Sequence, residues 1–351
     1  MQGMKTFDAY SLEEIPQLVE DLGHPRFRSK QLISWVYEKG ASSFEEMSNL
    51  PKALKADIQR VAPFQIPSIV KKQVSKDGTR KYLLKLNDGL CIETVGIPSK
   101  ETEGSGKPKR LTVCFSTQVG CPMRCSFCAT GKEGFGRNLL PGEMAQQVLT
   151  VQRDFGMRVT NAVGMGQGEP FLNYDNVLAA LRIMNSPQGL GIGARHITIS
   201  TCGILQGIKR FSQEPEQFTL AISLHSAIQE TRDELMPVCA KAPLPQLKQE
   251  LLAYTQTSGR RVTFEYLLIN GITDTDESIE ALIRYVKGML AHINFLSINN
   301  IEGSPLKPTQ KKRTAQILKK MEECHIEATL RDSRGSDIDG ACGQLKTKTV
   351  L

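Results

Sequence analysis

Apolar residues recur along this chain first at helical spacing, then in alternation, then in short runs separated by helical stretches. Ser11-Leu-Glu-Glu14 is a capping-box pattern, and positions 27–37 place apolar residues three and four apart, which predicts a small helical unit over 1–62. From 68 to 95 the pattern alternates, as in Tyr82-Leu-Leu-Lys-Leu86, and the turn-forming Asn87-Asp-Gly89 interrupts it. That predicts a short β-hairpin within a linker region of 63–109, whose last part, 101–109, is rich in Gly, Ser and charge and reads as a loop.

Over 110–351 the period switches repeatedly between strand and helix. Strands are predicted at 111–117, 161–165, 196–201, 218–224, 262–268 and 294–298. Among the helices between them are 141–155, which starts on a proline and has Gly156 past its end, and 278–290. Six strand-helix units in succession predict parallel strands with helices outside, an α/β fold in the form of a partial (β/α)6 barrel. Reactive groups in such barrels gather at the C-terminal strand ends. No internal repeat or low-complexity tract is present.

Composition adds limits. At 351 residues with 40% hydrophobic residues, the chain can bury one large core with a smaller attachment. Every apolar run is short and soon met by charge, and the N-terminus lacks the basic-then-apolar pattern of a signal peptide, so a soluble cytoplasmic protein without a membrane partner is expected. Nine cysteines, an odd number, argue against a disulfide scaffold in that setting. Scattered ones such as Cys202 and Cys239 read as small buried hydrophobes, whereas clustered ones need a chemical explanation. Of the formal net charge of +7, five units fall between Lys71 and Arg110, where ten Lys and Arg face five acids. Alone this is a solvated edge with a basic loop; beside a nucleic-acid function it becomes a phosphate-contacting collar.

Cys121-Pro-Met-Arg-Cys125-Ser-Phe-Cys128 places three thiols on one loop directly after the first barrel strand. A zinc site prefers four protein ligands, commonly from paired CxxC elements, and no second pair lies nearby. Three thiolates suit a 4Fe–4S cluster whose fourth iron stays open. S-adenosylmethionine would chelate there through its amino and carboxylate groups, and electron transfer would break its carbon–sulfur bond. Gly164-Met-Gly-Gln-Gly-Glu169-Pro170 follows the second strand. As a string it is only a Gly-rich turn, but at a barrel strand's C-terminal end its glycines permit close backbone approach and Glu169 can accept from the cofactor's ammonium.

Further strings carry a resemblance. The lead-in Cys114-Phe-Ser-Thr-Gln-Val-Gly-Cys121, the Gly-Glu-Pro turn, Ser223-Leu-His225, Asn299 with Glu302-Gly-Ser-Pro305, and Arg334-Gly-Ser-Asp-Ile-Asp-Gly-Ala-Cys342-Gly-Gln-Leu together resemble the RlmN family, as does Phe27-Arg-Ser-Lys-Gln-Leu near the N-terminus. The family's usual Gly-Met-Gly-Glu-Pro reads Gly-Gln-Gly-Glu-Pro here, and its Asn-Pro reads Asn299-Asn300. The resemblance implies a TIM-like radical SAM barrel and a dual-specificity RNA (adenine-C2)-methyltransferase acting on 23S rRNA and tRNA. One 4Fe–4S cluster on Cys121, Cys125 and Cys128 and two S-adenosylmethionine molecules per turnover are implied, with the cofactor bound by Gly168, Glu169, Ser200, Ser223, Leu224, His225 and Asn299. Also implied are an RNA-binding role for the helical unit, an external electron donor such as flavodoxin, and a monomer.

C2 of adenine holds its proton too tightly for a base to prepare it for ordinary methyl transfer, so a radical must attack. By resemblance, Cys342 takes a methyl group by nucleophilic displacement, a 5′-deoxyadenosyl radical removes hydrogen from it, and the methylene radical adds to the ring. Release then needs Glu93 as base and attack by Cys114 on the Cys342 sulfur, through a transient disulfide. Without these neighbours Cys342 would read as an inert surface thiol, Cys114 as core, and Glu93 as the exposed member of a strand. The target base must leave its stack, which suits loops and unpaired RNA bases. Two other readings stay open: a resistance-type enzyme methylating C8 of the same rRNA adenine, and a zinc-stabilised RNA-binding protein without catalysis.

Overall fold

The computed structural model describes residues 6–102, 104, 106, 108–299 and 304–346. The capping box forms reciprocally, with Ser11 N donating to Glu14 Oε2 at 2.8 Å and Glu14 N to Ser11 Oγ at 3.3 Å, and the helix Ile15–Asp21 follows. The periodic stretch at 27–37 forms an α-helix, Phe27–Ile33, that widens into a π-turn at Ser34–Glu38. These helices bury their apolar faces on one another around Phe7, Ile15, Leu32, Val36 and Leu54, together with Ala145, Leu149 and Ile183 from two barrel helices.

Twelve strands are described: β1 (Ser68–Val74), β2 (Arg80–Lys85), β3 (Cys91–Pro98), β4 (Leu111–Cys114), β5 (Gln118–Gly120), β6 (Phe135–Asn138), β7 (Asn161–Gly164), β8 (Ile197–Thr201), β9 (Thr219–Ser223), β10 (Val262–Leu268), β11 (Ala291–Ser297) and β12 (Ala328–Arg331). All but β5 and β6 form one ten-stranded sheet in the order β1-β2-β3-β4-β7-β8-β9-β10-β11-β12. From β4 to β12 each neighbour is parallel, which is the predicted barrel plus a seventh parallel strand. β12 escaped the sequence reading because it is four residues long at a sheet edge, with no member fully buried. The predicted helix 141–155 is present as Pro141–Phe155, ended by Gly156 in the left-handed region. The second, expected at 278–290, runs Asp276–Val286: Thr275 caps it and Gly288, at φ +79°, turns the chain away.

The hairpin region is larger than expected. A second turn, at Lys76-Asp77-Gly78, makes three antiparallel strands, and β3 pairs with β4 so that they extend the barrel sheet. Among the described residues no helix is long and apolar enough to cross a membrane.

One buried acid joins the N-terminal helices to the barrel. Asp8 is 2% exposed, against the start of the Pro141–Phe155 helix, where a Cβ on Gly142 would come within 2.3 Å of its Oδ1. Burial, and then the charge of Glu143, pushes the Asp8 carboxyl up to about 8 from an ordinary 3.8. The folded protein therefore holds this proton where the unfolded chain has lost it. Stability from this group is complete below the unfolded value, falls as pH rises between the two values, and levels off above the folded one. Asp8→Asn, a neutral near-isostere, should gain on the parent as pH rises between these values, with a melting-temperature advantage a few °C larger at pH 8 than at pH 5; thermal melts at both pH values check this.

Candidate active site

The three cysteines sit on a loop closed at its base. β5 and β6 pair antiparallel on either side of it, and Cys121 N donates to Gly134 O at 2.7 Å. A Cβ at Gly120 would lie 2.0 Å from that same oxygen, so the closure demands glycine. Inside the loop Cys128 N bonds Cys125 O, and Ser126 N reaches Leu235 O. Cys121, Cys125 and Cys128 line one cavity together with Glu169, Ser200 and Ser223. Cys202, expected to be an inert hydrophobe, lines it too, and Cys239 packs beside Cys125 in the apolar layer under the loop.

The Gly-rich turn is built by the chain it packs on. Cβ atoms on Gly166 and Gly168 would come within 2.7 Å of Phe115 and of Thr117 and Gln118, and Gly168 has φ +107°. Its glycines thus permit approach to the β4 exit. Gln118 Oε1 accepts from Glu169 N, while the Glu169 carboxylate takes Phe171 N at 3.0 Å and Cys202 N at 2.7 Å. Burial pushes this carboxyl up and those amide donors oppose it. Each oxygen accepts a backbone amide, and the side chains of Thr201 and Cys202 lie against the same carboxylate.

The strand ends supply the rest of the wall. Ser200 Oγ and Ser223 Oγ lie 3.3 Å apart. His225, in the left-handed region at φ +56°, accepts from Leu267 N at Nδ1 and meets Phe127 edge-on. Burial, then the charge of Arg232, pulls its pKa down to about 3, so the ring is neutral, and the Nδ1 contact places its proton on Nε2. Gly168 and Asn299 also line the cavity. Leu224 does not: its side chain belongs to the barrel core, and only its backbone lies near the site. Asn300 and Glu302 fall outside the described residues.

A second cavity adjoins the first and holds Cys114, Arg331 and Cys342, with Met165, Leu296, Asn299, Cys342 and Leu345 shared between the two. Cys342 is exposed by area, but it lines both cavities and the surrounding protein pushes its thiol up. Burial, with a further push from Cys342, takes Cys114 up to about 12, and Arg331 pulls both thiols down. The segment bearing Cys342 is moored at both ends. Upstream, Arg334 and Gly335 bond Asp77, Asp337 accepts from Ser75 Oγ, and Lys81 Nζ reaches Asp339 O, all on the extra hairpin turn and its strand. Downstream, Asn299 Nδ2 donates to Cys342 O at 3.1 Å, Ala129 N to Gly343 O, Thr130 Oγ1 to Leu345 O, and Lys346 N to Glu93 Oε2 at 2.7 Å.

Glu93 is 4% exposed, not the surface member of its strand. It pairs with the buried Lys81 at 3.1 Å; burial pushes its carboxyl up, against Lys81 and the Lys346 amide. It lines neither of the two cavities, and the Lys346 amide occupies one of its oxygens. Sequence reasoning counted Lys81 in the basic collar and missed its burial against Glu93, and it missed Arg331 and the mooring turn, which no local pattern marks. The basic collar is also partly spent: Lys72 and Arg80 pair with Asp154 and Lys100 with Asp332, while Lys71, Lys76 and Lys85 have no ion pair among the described residues.

Among the described residues no group of three or more His, Cys, Asp or Glu is gathered tightly enough for one metal ion. A 4Fe–4S cube asks for something else, since each thiolate binds a different iron and the sulfurs must stand apart around it. Three free thiols on one loop, facing a shared cavity, fit that donor set.

Comparison with known proteins agrees. The family model for the Radical SAM superfamily matches residues 115–286, and that for the ribosomal RNA large subunit methyltransferase N-terminal domain matches residues 8–63. A probable dual-specificity RNA methyltransferase RlmN from Nostoc punctiforme is 44% identical over 96% of this chain and 92% of its own length. One from Clostridium novyi is 41% identical over 99% of both chains. The crystal structure of a radical SAM methyltransferase from Sphaerobacter thermophilus superposes with a TM-score of 0.90 at 38% identity, over 97% of this chain and 99% of that one.

Proposed function

The chain belongs to the RlmN family of radical SAM RNA methyltransferases, with a 4Fe–4S cluster and S-adenosylmethionine as its cofactors, and on that premise we propose that it methylates C2 of adenine in RNA through a methyl group stored on Cys342. The observation that carries this is the pair Cys114 and Cys342 lining one cavity that shares Cys342 with the cavity of the cysteine loop. A single thiol could receive a carbon; a second one beside it can release the carbon.

Cys121, Cys125 and Cys128 hold the cluster, and Glu169 receives the cofactor's ammonium alongside its two amide donors. Bound there, cluster and cofactor supply a one-electron cleavage from which a hydrogen-abstracting radical arises. Cys342 takes a methyl group at sulfur in a separate displacement, so two cofactor molecules serve each turnover. Arg331, against both thiols, favours their anionic forms. Glu93, its affinity for protons raised by burial, accepts the C2 proton once the Lys346 amide moves off its oxygen. Cys114 then attacks the Cys342 sulfur and breaks its bond to the carbon, which leaves on the adenine ring and takes up a proton to become the methyl group; the two sulfurs remain as a transient disulfide, and the unpaired electron returns to the redox centre that supplied it. All nine cysteines are free in this structure.

The substrates in this reading are 23S rRNA and tRNA, approached by the helical unit of 1–62 and by Lys71, Lys76 and Lys85. The electron donor is an external one such as flavodoxin, and the enzyme works as a cytoplasmic monomer. Anaerobically reconstituted protein given methyl-labelled S-adenosylmethionine and unmodified RNA is expected to yield 5′-deoxyadenosine and labelled 2-methyladenosine on mass spectrometry of the digest. The 8-methyl isomer would assign the C8 chemistry instead, and colourless zinc-loaded protein giving neither product would remove the catalytic reading.

A further inference from the structure

One buried oxygen inside the barrel has nothing to bond. Glu265, on β10, is 4% exposed, and its Oε2 has no hydrogen-bond partner. Its surroundings are ordered strand by strand. Ser223 on β9, Glu265 on β10, Asn294 on β11 and Thr329 on β12 are register partners in turn, which puts all four side chains on one face of the sheet. Asn294 Nδ2 donates to Glu265 Oε1 at 3.0 Å, and Thr329 Oγ1 donates to Asn294 Oδ1 at 2.9 Å. Arg331 NH1 stands 3.9 Å from the same Oε1. One carboxylate oxygen is thus fixed from the β11–β12 side, while the side chain lines the cavity of the cysteine loop. Leaving a buried acceptor unmade costs about 1–3 kcal/mol, more for a charged group. A ligand that brings a donor into the cavity removes that cost.

The cofactor carries three kinds of donor: its ammonium, the two ribose hydroxyls and the adenine amine. The ammonium goes with the carboxylate to the cluster side, where Glu169 follows β7. Along the sheet, Glu169, Ser200, Ser223 and Glu265 come from the successive strands β7, β8, β9 and β10, so Glu265 stands well away from that end. An adenine amine is flanked by the ring's own lone pairs, which repel a lone carboxylate oxygen. A ribose edge presents only hydroxyls, and the Ser223 hydroxyl beside Glu265 can donate or accept as the second hydroxyl requires.

We propose that Glu265 is a cofactor-positioning residue whose free Oε2 accepts a hydrogen bond from a ribose hydroxyl of S-adenosylmethionine. The proposal rests on the reading of this cavity as the cofactor site. Held at the ribose from β10 and at the ammonium from the β7 turn, the cofactor is fixed at two separated points, which sets the direction in which its reactive carbon faces.

The test is equilibrium binding, without turnover, to anaerobic cluster-loaded protein, using S-adenosylmethionine and its 2′,3′-dideoxyribose analogue. The wild type is expected to bind the natural cofactor at least about tenfold more tightly than the analogue. Glu265→Gln keeps the Asn294 bond but turns a donor into the cavity in place of Oε2, so it should bind both ligands alike and the natural one at least about tenfold more weakly than wild type does. Glu265→Asp, with the charge kept and the reach shortened, should also lose the preference, which guards against a folding defect particular to glutamine. A preference for the full ribose that survives both substitutions, or a loss of affinity equal for the two ligands, would overturn the proposal alone. Wild-type protein that binds neither ligand would overturn the reading of the cavity and the proposal with it.

Discussion

Cys342→Ala is expected to transfer no labelled methyl group to RNA, a fall of at least about four orders of magnitude, while still producing 5′-deoxyadenosine when the cofactor and a reductant are supplied. The separation follows from geometry. The cysteine loop is closed by β5 and β6, and the contacts described from just beyond it to the C-terminal segment, Ala129 N to Gly343 O and Thr130 Oγ1 to Leu345 O, end on backbone acceptors on that side. Removing one sulfur therefore leaves the cofactor cavity closed as before and takes away only the atom that receives the carbon. Scintillation counting of the RNA and chromatography of the nucleoside from one reaction mixture measure both outcomes. Label in RNA from this variant would show that the methyl group reaches the base without passing through Cys342.

Cys114→Ala is expected to stop the reaction later, with protein and RNA still joined. Cys114 ends β4 and opens into the cavity that holds Cys342 and Arg331, so its loss removes the second sulfur and leaves the first step intact. The Cys342 sulfur would then keep its bond to the methylene carbon, because no other thiol among the described residues lines that cavity. A denaturing gel should show an RNA-dependent band of slower mobility that retains the methyl label, and released methylated RNA should fall by about two orders of magnitude or more. Free product at the wild-type rate would sink the role given to Cys114.

Much of this was legible in the sequence, for physical reasons. Barrel strands buried on both faces are rich in apolar, β-branched and aromatic residues, so Val262–Leu268 was recovered whole despite Thr263 and Glu265, and a proline start with a glycine stop gave Pro141–Phe155 both its ends. The cysteine loop is local in the chain, and its spacing survives without the fold. Contacts between distant residues do not. The mooring of Arg334 and Asp337 on the β1–β2 turn joins residues more than 250 apart, and nothing at either end announces the other. Glu93 looked exposed because alternation marks one face as polar; here the polar face is covered by the C-terminal segment, and Lys81 is buried with it. Glu265 was hidden in another way: within a strand that is buried at all but one position, sequence does not tell which side chains face the cavity.

The collar teaches the converse. Its charge excess is real, but Asp154 takes up both Lys72 and Arg80 from the far end of the Pro141–Phe155 helix, so a tally by sequence overstates what is free to meet phosphate.

Everything rests on Cys121, Cys125 and Cys128 carrying a four-iron cluster with one iron free to bind the cofactor. Electron paramagnetic resonance of the anaerobically reconstituted, reduced protein, recorded before and after adding S-adenosylmethionine, tests that directly. A reduced 4Fe–4S signal is expected that shifts when the cofactor is added and is lost in Cys125→Ala. A protein that takes up zinc in place of iron, or a cluster signal indifferent to the cofactor, would contradict that assignment.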